Sequence, residues 1–229
     1  MGAIAAAVDR KDSNAVDIVL EIMKNLVHRG DDAFGIATPD ELRFSTRIEE
    51  LNAHGLRSSF AIGYNLMKLF QRDVQQPLKI GREMIAFDGT VHPVRVRPYL
   101  TALIKPSPRK KNVKVIADLV RTQRGAYAIA SLHGMKMILA RDPVGQKPLY
   151  FGKNERLFAA ASERKALWRV GLGRAESFPP GYVMILTGKG WRLQHSRTIE
   201  QPEVARVDLE SAARHLKRLL ARTIIELTR

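Results

Sequence analysis

The 229-residue chain of 25.7 kDa is 45% hydrophobic and 27% charged, an ordinary globular composition that sets aside disorder, collagen and coiled coil as descriptions of the whole. It has no cysteine, which excludes disulfides, cysteine–metal sites and any thiol nucleophile. Its 38 lysines and arginines against 23 acidic residues give a net charge of +15 and a pI near 10.4; that field favours acidic partners, nucleic acid above all, while an arginine-rich surface of the thermophile kind or one acidic protein partner accounts for it equally well.

The opening MGAIAAAVDRKD is apolar for only a few residues. It reads as a buried strand over residues 4–8 rather than a signal peptide, and no apolar run approaches the ~20 residues of a membrane span, so a cytoplasmic protein without membrane contact is expected. Residues 16–27 put Val19, Ile22, Met23 and Leu26 on one helical face, behind a cap at Ser13 or Asn14. A turn at 28–32 leads to a strand at 34–38, with further strands at 60–63 and 84–87, the latter stopped by the turn signal Asp88-Gly89. Residues 105–112 (KPSPRKKN) form a loop, and 113–120 a short helix.

Strands are then expected at 127–131, 136–140, 149–152 and 157–161, with Gly134 and Gly145 in the intervening turns. Residues 162–168 read as a helix opened by Ser162 as its cap. Phe178-Pro179-Pro180-Gly181 breaks the chain before two more strands, 182–187 and 190–195. Residues 208–227 form an amphipathic helix striped by Leu209, Ala212, Leu216, Leu219, Leu220 and Ile224, with Glu210, Arg214, Lys217, Arg218 and Arg222 on its other face. The stripe reads as core or, alternatively, as an interface for a partner or a second copy of the chain.

Motifs of chemistry are sparse. No GxxxxGK[ST] phosphate loop occurs, and Gly188-Lys189-Gly190 is too short to serve as one. The six histidines are scattered, so neither a metal nor another cofactor is expected. His28 beside Asp31 and Asp32 fits acid–base chemistry or a capped turn; Arg109-Lys110-Lys111 fits phosphate contact or a solvated loop. Patterning alone gives a basic α+β domain and no reaction.

Several segments, in order, carry a resemblance. They are MGAIAAAV at the start, LVHRGDDAFG at 26–35, QQPL at 75–78, AFDG at 86–89, ARDPVGQKPLY at 140–150, ASERKAL at 161–167 and PPG at 179–181. Together they resemble the glutamine amidotransferase domain of asparagine synthetases, a class II member of the N-terminal-nucleophile hydrolases, over about residues 1–200. The resemblance implies an α+β fold, a four-layer αββα sandwich of two mainly antiparallel sheets. It also implies an organisation of residues 1–200 as amidotransferase-like domain and 201–229 as a helix like the first of a synthetase domain.

The same resemblance locates a pocket and shows it altered. The family hydrolyses glutamine with a cysteine directly after the initiator methionine, whose freed amine serves as base. Gly2 stands there, with Ala3 where the family has glycine and no serine or threonine before Ser13. The family's oxyanion hole pairs an asparagine amide with a glycine N–H; here the pair is Asp88 and Gly89, and an ionised aspartate cannot donate. The arginine that forks the glutamine carboxylate is matched by Leu66, within GYNLM at 63–67. The family's SDxE carboxylate falls where residues 105–111 are basic. Arg29 completes the vestigial pocket. The expectation is therefore an amidotransferase-like protein without glutaminase activity, binding or regulating a separate ATP-using synthetase, since the chain has no SGGxDS loop and stops where that domain would begin. The alternatives are an active glutaminase domain of a glutamine-hydrolysing asparagine synthetase, and a basic nucleic-acid-binding module.

Overall fold

A computed structural model of the chain describes residues 2–11, 14–52, 55–69, 71, 73–92, 112–199 and 208–228. Two antiparallel sheets stack face to face. The first joins β1 (Gly2–Asp9), β2 (Ala33–Ala37), β3 (Leu42–Ser45), β4 (Phe60–Leu66), β9 (Tyr150–Lys153), β10 (Leu157–Ala161) and β11 (Ala175–Ser177), in the order β11-β9-β10-β1-β4-β2-β3. The second joins β5 (Leu78–Ile80), β6 (Glu83–His92), β7 (Arg124–His133), β8 (Lys136–Arg141), β12 (Tyr182–Thr187) and β13 (Gly190–His195), in the order β13-β12-β8-β7-β6-β5. Helices α1 (Ala15–Lys24) and α3 (Arg164–Arg169) cover the first sheet, and α2 (Asn112–Thr122) covers the second. This is the expected αββα sandwich.

Strand alternation explains the layers. Along β4, Phe60, Ile62, Tyr64 and Leu66 enter the inter-sheet core with Ile4, Ala6 and Val8 of β1 and Met84 and Ala86 of β6. The opposite face of β1 and β4, with Ala5, Ala7 and Ala61, receives Val19, Ile22 and Met23 of α1. Phe87, Ile129 and Ile185 turn the other way, under Ile116 and Val120 of α2. Each fully buried side chain of this size contributes about 1.5–3 kcal/mol of transfer free energy, so three apolar layers suffice to hold both sheets.

Local corrections follow from where polar side chains find partners. Residues 88–89 do not stop the strand: β6 runs on to His92, because the Asp88 carboxylate bonds to other segments instead of to its own turn. Gly89, at φ +138°, lets β7 close in; a Cβ there would lie 1.9 Å from the Ala126 carbonyl oxygen. Ser162 does not cap α3; its Oγ accepts the Ile4 N–H at 2.9 Å and ties β10 to β1. Asn14 sits at the α1 N-cap without a capping bond and donates to Asp17 instead; Ser13 lies outside the described residues. Helix α1 ends at Lys24, and residue 27 opens a separate 3-10 turn, Val27–Arg29. The basic loop at 105–111 also lies outside the described residues. Helix α4 (Leu209–Thr228) forms as expected, with Asp208 accepting the Ser211 N–H at 2.9 Å. Its stripe is not core, however: Leu209, Leu216, Leu219, Leu220 and Ile224 are all exposed. Among the described residues, no helix is long and apolar enough to cross a membrane.

Candidate functional site

The even-numbered residues of β1, β4 and β6 face the inter-sheet layer, which brings Gly2, Tyr64, Leu66 and Asp88 to one end of it. Asp88 is fully buried. Its Oδ1 accepts the Gly2 backbone N–H at 3.1 Å and the Lys147 ammonium at 3.2 Å. Its Oδ2 lies 3.8 Å from Nη2 of Arg29. Arg29 in turn donates from Nε to the Gly2 carbonyl at 3.4 Å and from Nη1 to Glu163 at 3.3 Å. The carboxylate of one sheet thus holds the first residue of the other through a charge-balanced cluster.

Glu163 forms the outer half of that cluster, meeting Nε2 of His28 at 2.8 Å and Nζ of Lys165 at 3.3 Å. Burial alone pushes its carboxyl up, but the hydrogen bond and charge of His28, with the hydrogen bonds from Lys165 and Arg29, outweigh burial and hold it below the usual carboxylate range. His28 therefore pairs with Glu163, not with Asp31 or Asp32; Asp32 instead accepts the Lys68 N–H at 2.7 Å. Among the described residues no group of three or more potential ligands is placed to hold a metal.

Gly2 has no room for a side chain. A Cβ there would lie 2.3 Å from the Asn65 carbonyl oxygen and 2.5 Å from both Cζ and Oη of Tyr64. Burial, then the negative charge of Asp88, pushes the Tyr64 phenol well above its ordinary range, so it stays a neutral hydroxyl. Leu66 is buried in the inter-sheet core opposite Gly2 in the ladder and presents no polar atom. Gly89 follows Asp88 and pairs with Tyr127. All five residues singled out from the sequence are therefore local to one another. What the sequence did not reveal is what fills the space between them: Tyr64 and Lys147.

Lys147 is delivered by a stiff loop. The Asp142 carboxylate accepts the N–H groups of Tyr127, Val144, Gly145, Gln146 and Lys147 at 2.7–3.2 Å. The Arg141 guanidinium donates to the carbonyls of Gly145 and Lys147, both at 2.6 Å, to that of Phe178 at 2.8 Å and to Ser177 Oγ at 3.0 Å. On the far side of Asp88, the Gln76 carboxamide donates to the Phe87 carbonyl at 3.0 Å and accepts the Phe87 N–H at 2.7 Å. The residues of the ARDPVGQKPLY and QP segments thus position the strand and loop that carry the cluster.

Comparison with known proteins agrees with this architecture. Residues 101–169 match the family described as the glutamine amidotransferase domain. A Methanocaldococcus jannaschii protein named "Putative asparagine synthetase [glutamine-hydrolyzing] 1" is 28% identical over 182 residues, 74% of this chain and 34% of its own length; the chain thus spans about a third of that relative. The Bacillus subtilis glutamine phosphoribosylpyrophosphate amidotransferase, solved with ADP and GMP, superposes with a TM-score of 0.73 at 23% identity, covering 86% of this chain and 50% of its own. A protein from Silicibacter pomeroyi described as a glutamine aminotransferase class-II domain protein superposes with a TM-score of 0.56 at 12% identity, covering 85% of this chain and 99% of its own. These two share the fold. The sequence match at 101–169 and the synthetase relative, on that shared fold, make the chain glutamine amidotransferase-like and related to asparagine synthetase.

Proposed function

We propose that this domain does not hydrolyse glutamine and instead binds or regulates an ATP-using, synthetase-type partner. The observation that carries the reading is the occupied space at residue 2. Tyr64 and the Asn65 carbonyl stand where any side chain on that residue would begin, so no nucleophile fits there without displacing β4. Asp88 supports it: where an oxyanion would need a donor, the chain offers a buried carboxylate whose Oδ1 already accepts from Lys147 and the Gly2 amide. The amidotransferase framework persists around it, with Glu163, Arg141 and Asp142 engaged in holding loops.

The test is glutamate release from glutamine by the wild type, by Gly2→Cys and by Gly2→Cys combined with Asp88→Asn. All three are expected to stay at the level of the blank, with Gly2→Cys destabilised by about 1–3 kcal/mol from overpacking. Glutamate release by the wild type would overturn the reading, as would release by Gly2→Cys with undiminished stability. The partner half is tested by nuclease-treated co-purification. A stoichiometric protein carrying an SGGxDS pyrophosphate loop is expected, and its absence would reduce the synthetase connection to ancestry.

A further inference from the structure

Away from the Asp88 cluster, α2 and the edge strand β13 flank an open groove of about 400 Å³. Its walls follow from register and helical spacing. Arg192 pairs with Ile185 and Gln194 with Val183, so both lie on the sheet face that α2 covers. Lys114, Asp118 and Arg121 stand at i, i+4 and i+7, one stripe of α2, and line the opposite wall. Three cations thus face one carboxylate, and Arg121 engages that one at 2.5 Å. No carboxylate among the described residues pairs with Lys114 or Arg192. Arg197 donates to the Arg121 carbonyl at 3.3 Å and brings a further cation to one end. Ser196, also in the lining, has a buried hydroxyl oxygen with no hydrogen-bond partner.

We propose that this groove binds phosphate groups of a nucleotide or a nucleic-acid backbone, without base selectivity. The volume lies within the ~300–1,000 Å³ typical of ligand sites. A guanidinium fork and an ammonium are the two side chains that hold phosphate oxygens best, and Gln194 and Ser196 add neutral donors. No phenylalanine, tyrosine or tryptophan lines the groove, and the His195 ring in its lining is taken up by an edge contact with Tyr182 at 5.0 Å and a hydrogen bond with Thr198 at 2.6 Å, so bases have no free platform to stack on. Trp191 of β13 is engaged elsewhere, beneath the Lys153 ammonium at 4.2 Å. The proposal is independent of whether glutamine is hydrolysed.

The test is fluorescence anisotropy of the whole chain with labelled oligo-dT and oligo-dA at several salt concentrations, with ATP as competitor. Lys114→Glu combined with Arg192→Glu is set against Lys79→Glu combined with Arg82→Glu, an equal charge change at exposed positions around the β5–β6 turn. Wild type is expected to bind both oligonucleotides alike. The groove pair should lose roughly tenfold or more and lower the salt slope by about 1.4, two phosphate contacts at ~0.7 each, with the control pair losing less than about threefold. The milder Lys114→Gln with Arg192→Gln should lose affinity in the same direction if the glutamates disturb folding. Displacement of the oligonucleotide by ATP identifies a free nucleotide as the source of the phosphate, and persistence identifies a nucleic-acid backbone. Absence of binding by both probes at low salt, or equal losses for groove and control pairs, would overturn the assignment.

Discussion

Removing the charge of Asp88 while keeping its shape is the most direct probe of the cluster. At 3.2 Å from Lys147 Nζ and 3.8 Å from Arg29 Nη2, Coulomb's law at an effective dielectric of ~20 gives about 5 and about 4 kcal/mol of attraction. Desolvation of a fully buried carboxylate offsets several kcal/mol of that, so the pair is nearly neutral in net stability while the loss of one partner is not. Asp88→Asn retains an acceptor for the Gly2 N–H but leaves two cations facing a neutral amide. Lys147 and Arg29 keep partial solvent access, and Arg29 keeps Glu163, which places the cost at about 3 kcal/mol, the lower end for breaking a buried pair. Lys147→Met alone leaves Asp88 with Arg29 and the Gly2 amide and should cost a similar amount. The double variant should cost clearly less than their sum, with a coupling of about 1–3 kcal/mol. Urea unfolding of the four proteins measures this directly. Strictly additive single effects would refute the argument that Lys147 and Asp88 neutralise each other.

Two further outcomes follow from the surrounding bonds. Glu163→Gln removes the anion that His28, Arg29 and Lys165 share and should cost about 1 kcal/mol at neutral pH. Because the folded carboxyl sits below its ordinary 4.5, that contribution is present above pH 4.5 and is lost as pH falls through the folded value, so the stability gap to wild type should close under acid; a gap unchanged down to pH ~3 would contradict it. Arg141→Lys strands acceptors that only a guanidinium fork reaches, at about 3 kcal/mol, and calorimetry should show a Tm lower by roughly 10 °C; a shift within a degree or two would mean that the loop at 142–148 is held by Asp142 alone.

Much of the fold could be read from the chain because its interior strands are short, uninterrupted apolar runs: residues 4–8 and 157–161 lie within or match β1 and β10. The short edge strands β3, β5 and β11 were not anticipated, because three or four half-exposed residues carry no distinct period. Asp88-Gly89 misled for a related reason. Local turn chemistry is a statement about neighbours in sequence, and the partners of Asp88 are 59 and 86 residues away. The pocket's residues were found through motif order, whereas Tyr64 and Lys147 were not. Nothing in GYNLM or KPLY says that one would fill the space at residue 2 and the other neutralise Asp88. The α4 stripe shows the limit of periodicity, which fixes a face without fixing what covers it.

The Gln76 side chain has a consequence for how this protein avoids its own kind. β5 pairs with β6 only from Leu78↔Ile85 to Ile80↔Glu83, so the next outward-facing backbone pair, at Phe87, would be left bare on the rim of the sheet. The Gln76 carboxamide occupies that position as a donor and an acceptor together, a false rung that ends the ladder where another chain would otherwise add a strand. Replacing it by glutamate would keep the acceptor and lose the donor. By leucine, both would go, leaving the Phe87 N–H and carbonyl without their side-chain partners at the end of the ladder.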